Sequence, residues 1–237
     1  MTDDAPVQRA LIVGAHPDDP EFSSGGTIAL WAQQGIEVTI ALTTNGNKGT
    51  SDLKTSSERL AVLRRQEQLD AAKASGVKEV VFLDNNDCEL VNNLELREQI
   101  VRLIRTYRPD VVLTHDPRTI TLGGRSINHP DHRATGQATL DAIFPTARDP
   151  LNFPQHLKEG LLPHKVFDVY LWGAEDPNTW VDITEAFDLK VAAIRCHKTQ
   201  VREPEAVEKR VRERSARVAE GHGMELAEAF YRIQLPR

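Results

Sequence analysis

His16, Asp18, Asp19 and Glu21 fall within six positions of the stretch AHPDDPEFSSGG, residues 15 to 26. Imidazole nitrogen and carboxylate oxygen are the donors that divalent zinc takes, and a catalytic zinc site combines three protein ligands with a water. Two adjacent aspartates cannot both face one ion in the same way. One can ligate while its neighbour reaches the water. The competing reading is a helix-entry turn, with aspartate favoured near the positive end of a helix. Taken alone, HPDD does not choose between them.

A second stretch shifts the balance. NHPDHRATGQATLDAIF places Asn128, His129, Asp131 and His132 just before a helical pattern, with Pro130 suited to its first position. His132 would then sit in the first turn, near His129, directed toward the same sheet edge as HPDD. The alternative is a capped helix with polar surface residues. A third set is weaker: Gly46-Asn47-Lys48-Gly49, Arg64 and Asp87. Arg64 could bind a polar substrate, but on sequence alone an ordinary ion pair on a solvated helix face is the preferred reading. His156, His164, His222 and the Cys196-His197 pair carry no partner pattern. No G-x-G-x-x-G follows the first strand, which leaves a dinucleotide site without support.

These residues need strands to aim them. Apolar runs predict strands at Ala10–Ala15, Val38–Thr43, Val80–Leu83, Val111–Thr114 and Val166–Trp172. Amphipathic stretches Gly26–Gln34, Ser56–Ser75 and Leu94–Tyr107 lie between the first four, each closed by Gly or Pro. This alternation predicts an α/β, Rossmann-like fold: a mostly parallel central sheet flanked by helices, with a C-terminal helical extension. Such sheets bind ligands beyond the carboxyl ends of their strands. HPDD follows the first strand and His115 the fourth. Residues 145–165 read as an ordered surface loop, and AEAFYRIQL as a segment that packs back on the core. The expectation is one domain over residues 1–237.

Composition narrows the partners. The 237-residue chain carries a formal net charge of −6, so a basic footprint for nucleic acid is absent. No apolar run reaches membrane-spanning length. Cys88 and Cys196 are far apart, in no metal-type spacing, which argues for a reducing, cytoplasmic setting.

AHPDDPE followed by GGTIA, together with NHPDHRATG, resembles the PIG-L/LmbE-like zinc N-deacetylases. TNGNKGTSD, FLDNNDCEL, PDVVLTHDP, VDIT, HKTQ and AEAF extend the resemblance over most of the chain. It implies one divalent metal per chain, zinc by habit and Fe2+ as an alternative, held by His16, Asp19 and His132. Asp18 would be the general base. His129 would stabilise the oxyanion or protonate the leaving amine, helped by Asp131. Arg64, Asp87 and the loop of Asn47 would face the substrate. The implied reaction removes acetyl from an N-acetylated amino sugar of N-acetylglucosamine type, or its conjugate. Two alternatives stand beside it: an amidase on a related thiol-sugar or other small-molecule amide, and a non-catalytic metal- or sugar-binding protein. A homo-oligomer is compatible with the sequence.

Overall fold

The structure is a computed structural model that describes residues 7–124 and 126–236. In chain order it begins with strand β1 (Arg9–Gly14), helix α1 (Asp19–Gln33), β2 (Glu37–Thr44), α2 (Ser57–Ala74), β3 (Glu79–Asn85), α3 (Leu94–Tyr107) and β4 (Val111–His115). A two-stranded hairpin, β5 (Thr121–Leu122) and β6 (Ser126–Ile127), precedes α4 (Pro130–Asp141) and a short π-helical turn, Ala142–Thr146. Then come α5 (Gln155–Lys158), β7 (Asp168–Trp172), β8 (Thr179–Asp182), α6 (Phe187–Cys196), α7 (Pro204–Ala219) and β9 (Ala227–Gln234).

Seven strands form one sheet in the order β3-β2-β1-β4-β7-β9-β8. The pairs from β3 to β7 are parallel, and β9 runs antiparallel to both its neighbours. Leu11, Ile12 and Val13 are fully buried, as a central parallel strand covered on both faces requires. The chain builds outward from β1 through β2 to β3, then crosses back to place β4 on the other side of β1. Strand order therefore reverses between the carboxyl ends of β1 and β4, the position at which such sheets bind ligands. One apolar layer, with Leu11, Val13, Ile100 and Ile104, covers one face, and another, with Ile12, Ile28, Ile40 and Leu113, covers the other.

Helix α1 departs from the sequence-based boundary. The pattern places its start at Gly26, but the helix begins at Asp19, with Pro20 in its first turn. It is broken at Ser24, where φ is −140°. The second segment restarts at Gly26, capped neither by Ser23 nor by Ser24. The buried Glu228 carboxylate accepts the backbone N–H of Gly26 (2.9 Å) and of Thr27 (2.8 Å). Lys190 neutralises it, with Nζ 2.6 Å from Oε1. Gly26 is needed for contact with the segment before α6: a Cβ there would lie 2.6 Å from Ile183 Cβ.

The C-terminal part holds two helices, α6 and α7, but AEAFYRIQL is more than a packing segment. It is β9, which joins the sheet between β7 and β8. Residues 145–165 are ordered around Arg105, whose buried guanidinium donates to five carbonyls, those of Thr146, Ala147, Asp149, Asn152 and Phe153. His156 bonds Glu98, and His164 bonds the Pro109 carbonyl at 2.7 Å. His222, which carries no partner pattern in the sequence, stacks on Trp180 with ring centroids 3.8 Å apart. Among the described residues no helix is long and apolar enough to cross a membrane.

Candidate active site

His16 leaves the end of β1, and His132 points back from the first turn of α4. Asp19, the first residue of α1, lies between them. Its Oδ2 is 3.3 Å from His16 Nδ1, and its Oδ1 is 3.2 Å from His132 Nε2. The backbone N–H of His16 donates to Asp19 Oδ2 at 2.7 Å, which fixes the carboxylate against the turn.

The outer nitrogens decide the tautomers. Asn128 Nδ2 donates to the Thr119 carbonyl (2.8 Å), so Oδ1 is the atom facing His132 Nδ1 at 2.9 Å. His132 therefore carries its proton on Nδ1 and turns the Nε2 lone pair toward Asp19. His16 Nε2 lies 3.1 Å from Asp87 Oδ1 and 3.2 Å from Asp131 Oδ2. It donates there, and Nδ1 is the nitrogen that faces Asp19. Two imidazole nitrogens thus oppose the two oxygens of one half-buried carboxylate, an arrangement that a shared cation satisfies. The donor set, two imidazoles and one carboxylate, fits zinc. Burial opposes ionisation of His16, but Asp131, Asp19 and Asp87 push its pKa up to about 12. Asp19 stays ionised, with its pKa held well below the usual range; burial works against this, and His132 and His115 outweigh it.

Asp18 sits beside this cluster in the left-handed region, at φ 100°. Non-glycine residues held there are strained, and such strain clusters at functional sites. Two buried side chains hold it. Gln68 Oε1 accepts its backbone N–H at 3.1 Å, and Arg64 Nη2 lies 3.2 Å from its Oδ2. Burial raises the Asp18 carboxyl to about 6; Arg64 opposes the shift and the neighbouring Asp19 adds to it.

Arg64 corrects the sequence reading. The ion pair exists, but not on a solvated face: the residue is 4% exposed. Its Nη1 donates to the Gly46 carbonyl at 3.1 Å, and its Nη2 donates to that of Pro17. A Cβ at Gly46 would approach Nη1 to 2.5 Å, and one at Gly49 to 2.7 Å, so both glycines make room for the guanidinium. Asn47 is likewise engaged within the protein. Its Oδ1 accepts the Asp87 N–H (3.1 Å) and its Nδ2 donates to Asn86 Oδ1 (3.1 Å). It ties the loop after β2 to the loop carrying Asp87. Asp87 faces His16, whose hydrogen bond lowers its pKa against the effect of burial.

His129 is the side-chain cap of α4: its Nδ1 accepts the Asp131 N–H at 3.2 Å. Its proton is then on Nε2, at the half-open mouth of the site. Burial, followed by the nearby His16, lowers its pKa. Asp131 does not chiefly serve His129, whose Nδ1 is 3.9 Å from Asp131 Oδ2. It is fully buried, accepts the Cys88 N–H at 2.7 Å, and orients His16.

Sequence reasoning left His115 undecided and Glu21 unassigned. His115 is buried and stacked on His132, with centroids 4.2 Å apart and planes 20° from parallel. Burial, and then His132, lowers it to about 4. Glu21 has a role beyond helix-end electrostatics. Its Oε1 accepts from Gln68 Nε2 (2.6 Å) and its Oε2 meets His197 Nε2 (3.2 Å), all three residues being buried. A chain of contacts therefore runs from His197 through Glu21 and Gln68 to the backbone of Asp18. In sequence the AHPDDPE and HKTQ matches touched the two ends of this network, and nothing pointed to Gln68. Asn128 had a local signal: it lies four residues before His132, one helical turn away.

Residues 11–143 match the PIG-L family, described as GlcNAc-PI de-N-acetylase. The chain is 36% identical over 194 residues to the diacetylchitobiose deacetylase of Thermococcus kodakarensis, covering 82% of this chain and 70% of that one. The structure of N,N'-diacetylchitobiose deacetylase from Pyrococcus horikoshii superposes with a TM-score of 0.88 at 32% identity, over 96% of this chain and 84% of that one. The 4-carboxy-2-hydroxymuconate hydratase GalB from Pseudomonas putida shares the fold alone, with a TM-score of 0.79 at 24% identity over 97% of each chain. The chain belongs to the PIG-L family of α/β deacetylases.

Proposed function

We propose that this protein is a metal-dependent hydrolase that removes the acetyl group from an N-acetylated amino sugar of N-acetylglucosamine type. The carrying observation is the pair of imidazole nitrogens, His16 Nδ1 and His132 Nε2, opposed to the two oxygens of Asp19. These three residues would hold the ion, and zinc is the metal this donor set favours. A bound zinc lowers the pKa of its water to about 7 and polarises a carbonyl oxygen.

The rest follows from this chain's own groups. Asp18, raised to about 6, is ionised at neutral pH yet basic enough to take a proton from the attacking water. His129 presents Nε2–H, so its part is to donate a hydrogen bond to the amide oxygen as charge develops there. Donating the proton to the leaving amine would require His129 to protonate at Nδ1 and lose its bond to the Asp131 N–H. Asp18, already carrying the water's proton, is the better acid for that step. Asp87 and Asp131 orient His16, and Asn128 orients His132, as outer partners of metal ligands do. The relatives named as diacetylchitobiose deacetylases support the substrate class, and GalB shows that the fold by itself does not set the reaction. Placement of the enzyme in the cytoplasm is part of the same reading.

The test is acetate release from a panel of N-acetylglucosamine conjugates by zinc-reconstituted protein. Release from at least one sugar supports the reading. Release of other acids from simple amides, with none from sugars, would select the amidase alternative.

A further inference from the structure

Cys88 is exposed and is used by none of the steps above. Its Sγ lies 3.3 Å from Asp87 Oδ1 and 3.5 Å from His129 Nε2, and those two atoms are 3.7 Å apart. In a tetrahedral zinc site with Zn–S near 2.3 Å and Zn–N or Zn–O near 2.0–2.1 Å, the ligand–ligand edges are roughly 3.3–3.6 Å. The two Sγ edges, 3.3 and 3.5 Å, already have those dimensions, and the Oδ1–Nε2 edge, 3.7 Å, has only to close slightly. It comprises a thiol, a carboxylate and an imidazole, the soft and borderline donors that select zinc and its congeners. We propose that Asp87, Cys88 and His129 form a second, inhibitory site for a thiophilic divalent cation such as zinc, cobalt or cadmium.

The site shares no ligand with His16, Asp19 and His132. His16 stands between the two: its Nδ1 faces Asp19 and its Nε2 faces Asp87 Oδ1. Binding replaces the thiol proton, which leaves to solvent, so a carboxylate and a thiolate balance the divalent charge. The His129 proton moves from Nε2 to Nδ1. The ring then loses the hydrogen bond it accepts from the Asp131 N–H and turns Nδ1–H toward Asp131 Oδ2. That loss makes the second site the weaker of the two, filled only at excess metal. Occupancy takes His129 Nε2 away from the substrate oxygen and draws Asp87 from His16. The inhibitory consequence rests on the role proposed for His129; the binding itself does not.

Cobalt titration of the metal-stripped protein tests binding without any substrate. The first equivalent is expected to give no sulfur-to-cobalt charge-transfer absorption, and the second to produce it. Cys88→Ser should bind the first equivalent unchanged, lack the charge-transfer band, keep basal turnover, and shift the zinc concentration that inhibits by at least tenfold upward. A wild-type protein with no thiolate band at excess cobalt overturns the site, as does a Cys88→Ser variant inhibited at the same zinc concentration. A band with no deacetylation of any sugar would leave the site standing and sink the proposed function instead.

Discussion

Asn128 Oδ1 lies 2.9 Å from His132 Nδ1 and is held in that orientation by the bond from its own Nδ2 to the Thr119 carbonyl. The amide therefore sets which nitrogen of His132 is free. Outer partners of metal-bound histidines are worth about 10–100-fold in metal affinity. Asn128→Leu should weaken zinc binding by about that factor, while Asn128→Asp, which still accepts from Nδ1–H, should stay close to wild type. Competition with a chromophoric chelator reads both. Equal affinities in the Leu and Asp variants would show that the amide does not set the tautomer.

Asp18 makes a pH prediction. Its carboxyl is raised to about 6, and the proton-accepting form is the ionised one. The rate should therefore fall as pH drops through about 6 and level off above it. Asp18→Asn should retain metal and lose the bulk of its turnover, with the residual rate no longer falling on that acid limb. An unchanged acid limb in the variant would assign the titration to another group.

His129 is assigned as a neutral donor because its Nδ1 is occupied by the Asp131 N–H. Loss of one such donor costs about 10²–10³ in kcat. His129→Ala should fall by that much at full metal content, and His129→Gln should recover part of it. If His129 were the acid for the leaving amine, Gln could not rescue, and the wild-type rate would fall at alkaline pH along a limb absent from His129→Ala.

Arg64 positions Asp18 through contacts to its carboxylate and to the Pro17 and Gly46 carbonyls. Lysine is a point charge without the planar fork and cannot reproduce these contacts. Arg64→Lys should lower kcat with little change in KM. A variant with wild-type kcat and a raised KM would return Arg64 to the role of a sugar contact.

The Lys190–Glu228 pair is buried, and its carboxylate caps the second segment of α1. Removing one partner of a buried pair costs about 3–5 kcal/mol, because the other charge is left uncompensated. Lys190→Met should lower the denaturation free energy by that order, measured by urea unfolding with the m-value unchanged. A loss below about 1 kcal/mol would mean that the backbone donors of Gly26 and Thr27 alone sustain the carboxylate.

What the sequence displayed was whatever chemistry is contiguous. HPDD and NHPDH carry their ligand types side by side, and hydrophobic period alone put both at one sheet edge. The α3 boundaries, Leu94 and Tyr107, follow from local signals, including the Asn93 cap. What it concealed was set by long-range contacts. Glu228 restarts a helix some two hundred residues earlier, so no local signal marks Ser24 as a break. Glu21 looked like helix-end charge because its partners, Gln68 and His197, come from α2 and from the end of α6. Arg64 looked solvated because the glycines that admit it, Gly46 and Gly49, lie on another loop. Strand β9 alternates as a strand should, but only its pairing with β7 and β8 separates it from a loose packing segment.

The central claim is that His16, Asp19 and His132 hold a metal required for amide hydrolysis. Acetate release from N-acetylglucosamine conjugates, followed while chelator-stripped protein is titrated with zinc, tests it most directly. The account predicts no release from the stripped protein and a rise in proportion to zinc up to one equivalent per chain. Release that is undiminished by stripping, or absent at one equivalent of bound zinc, would contradict it.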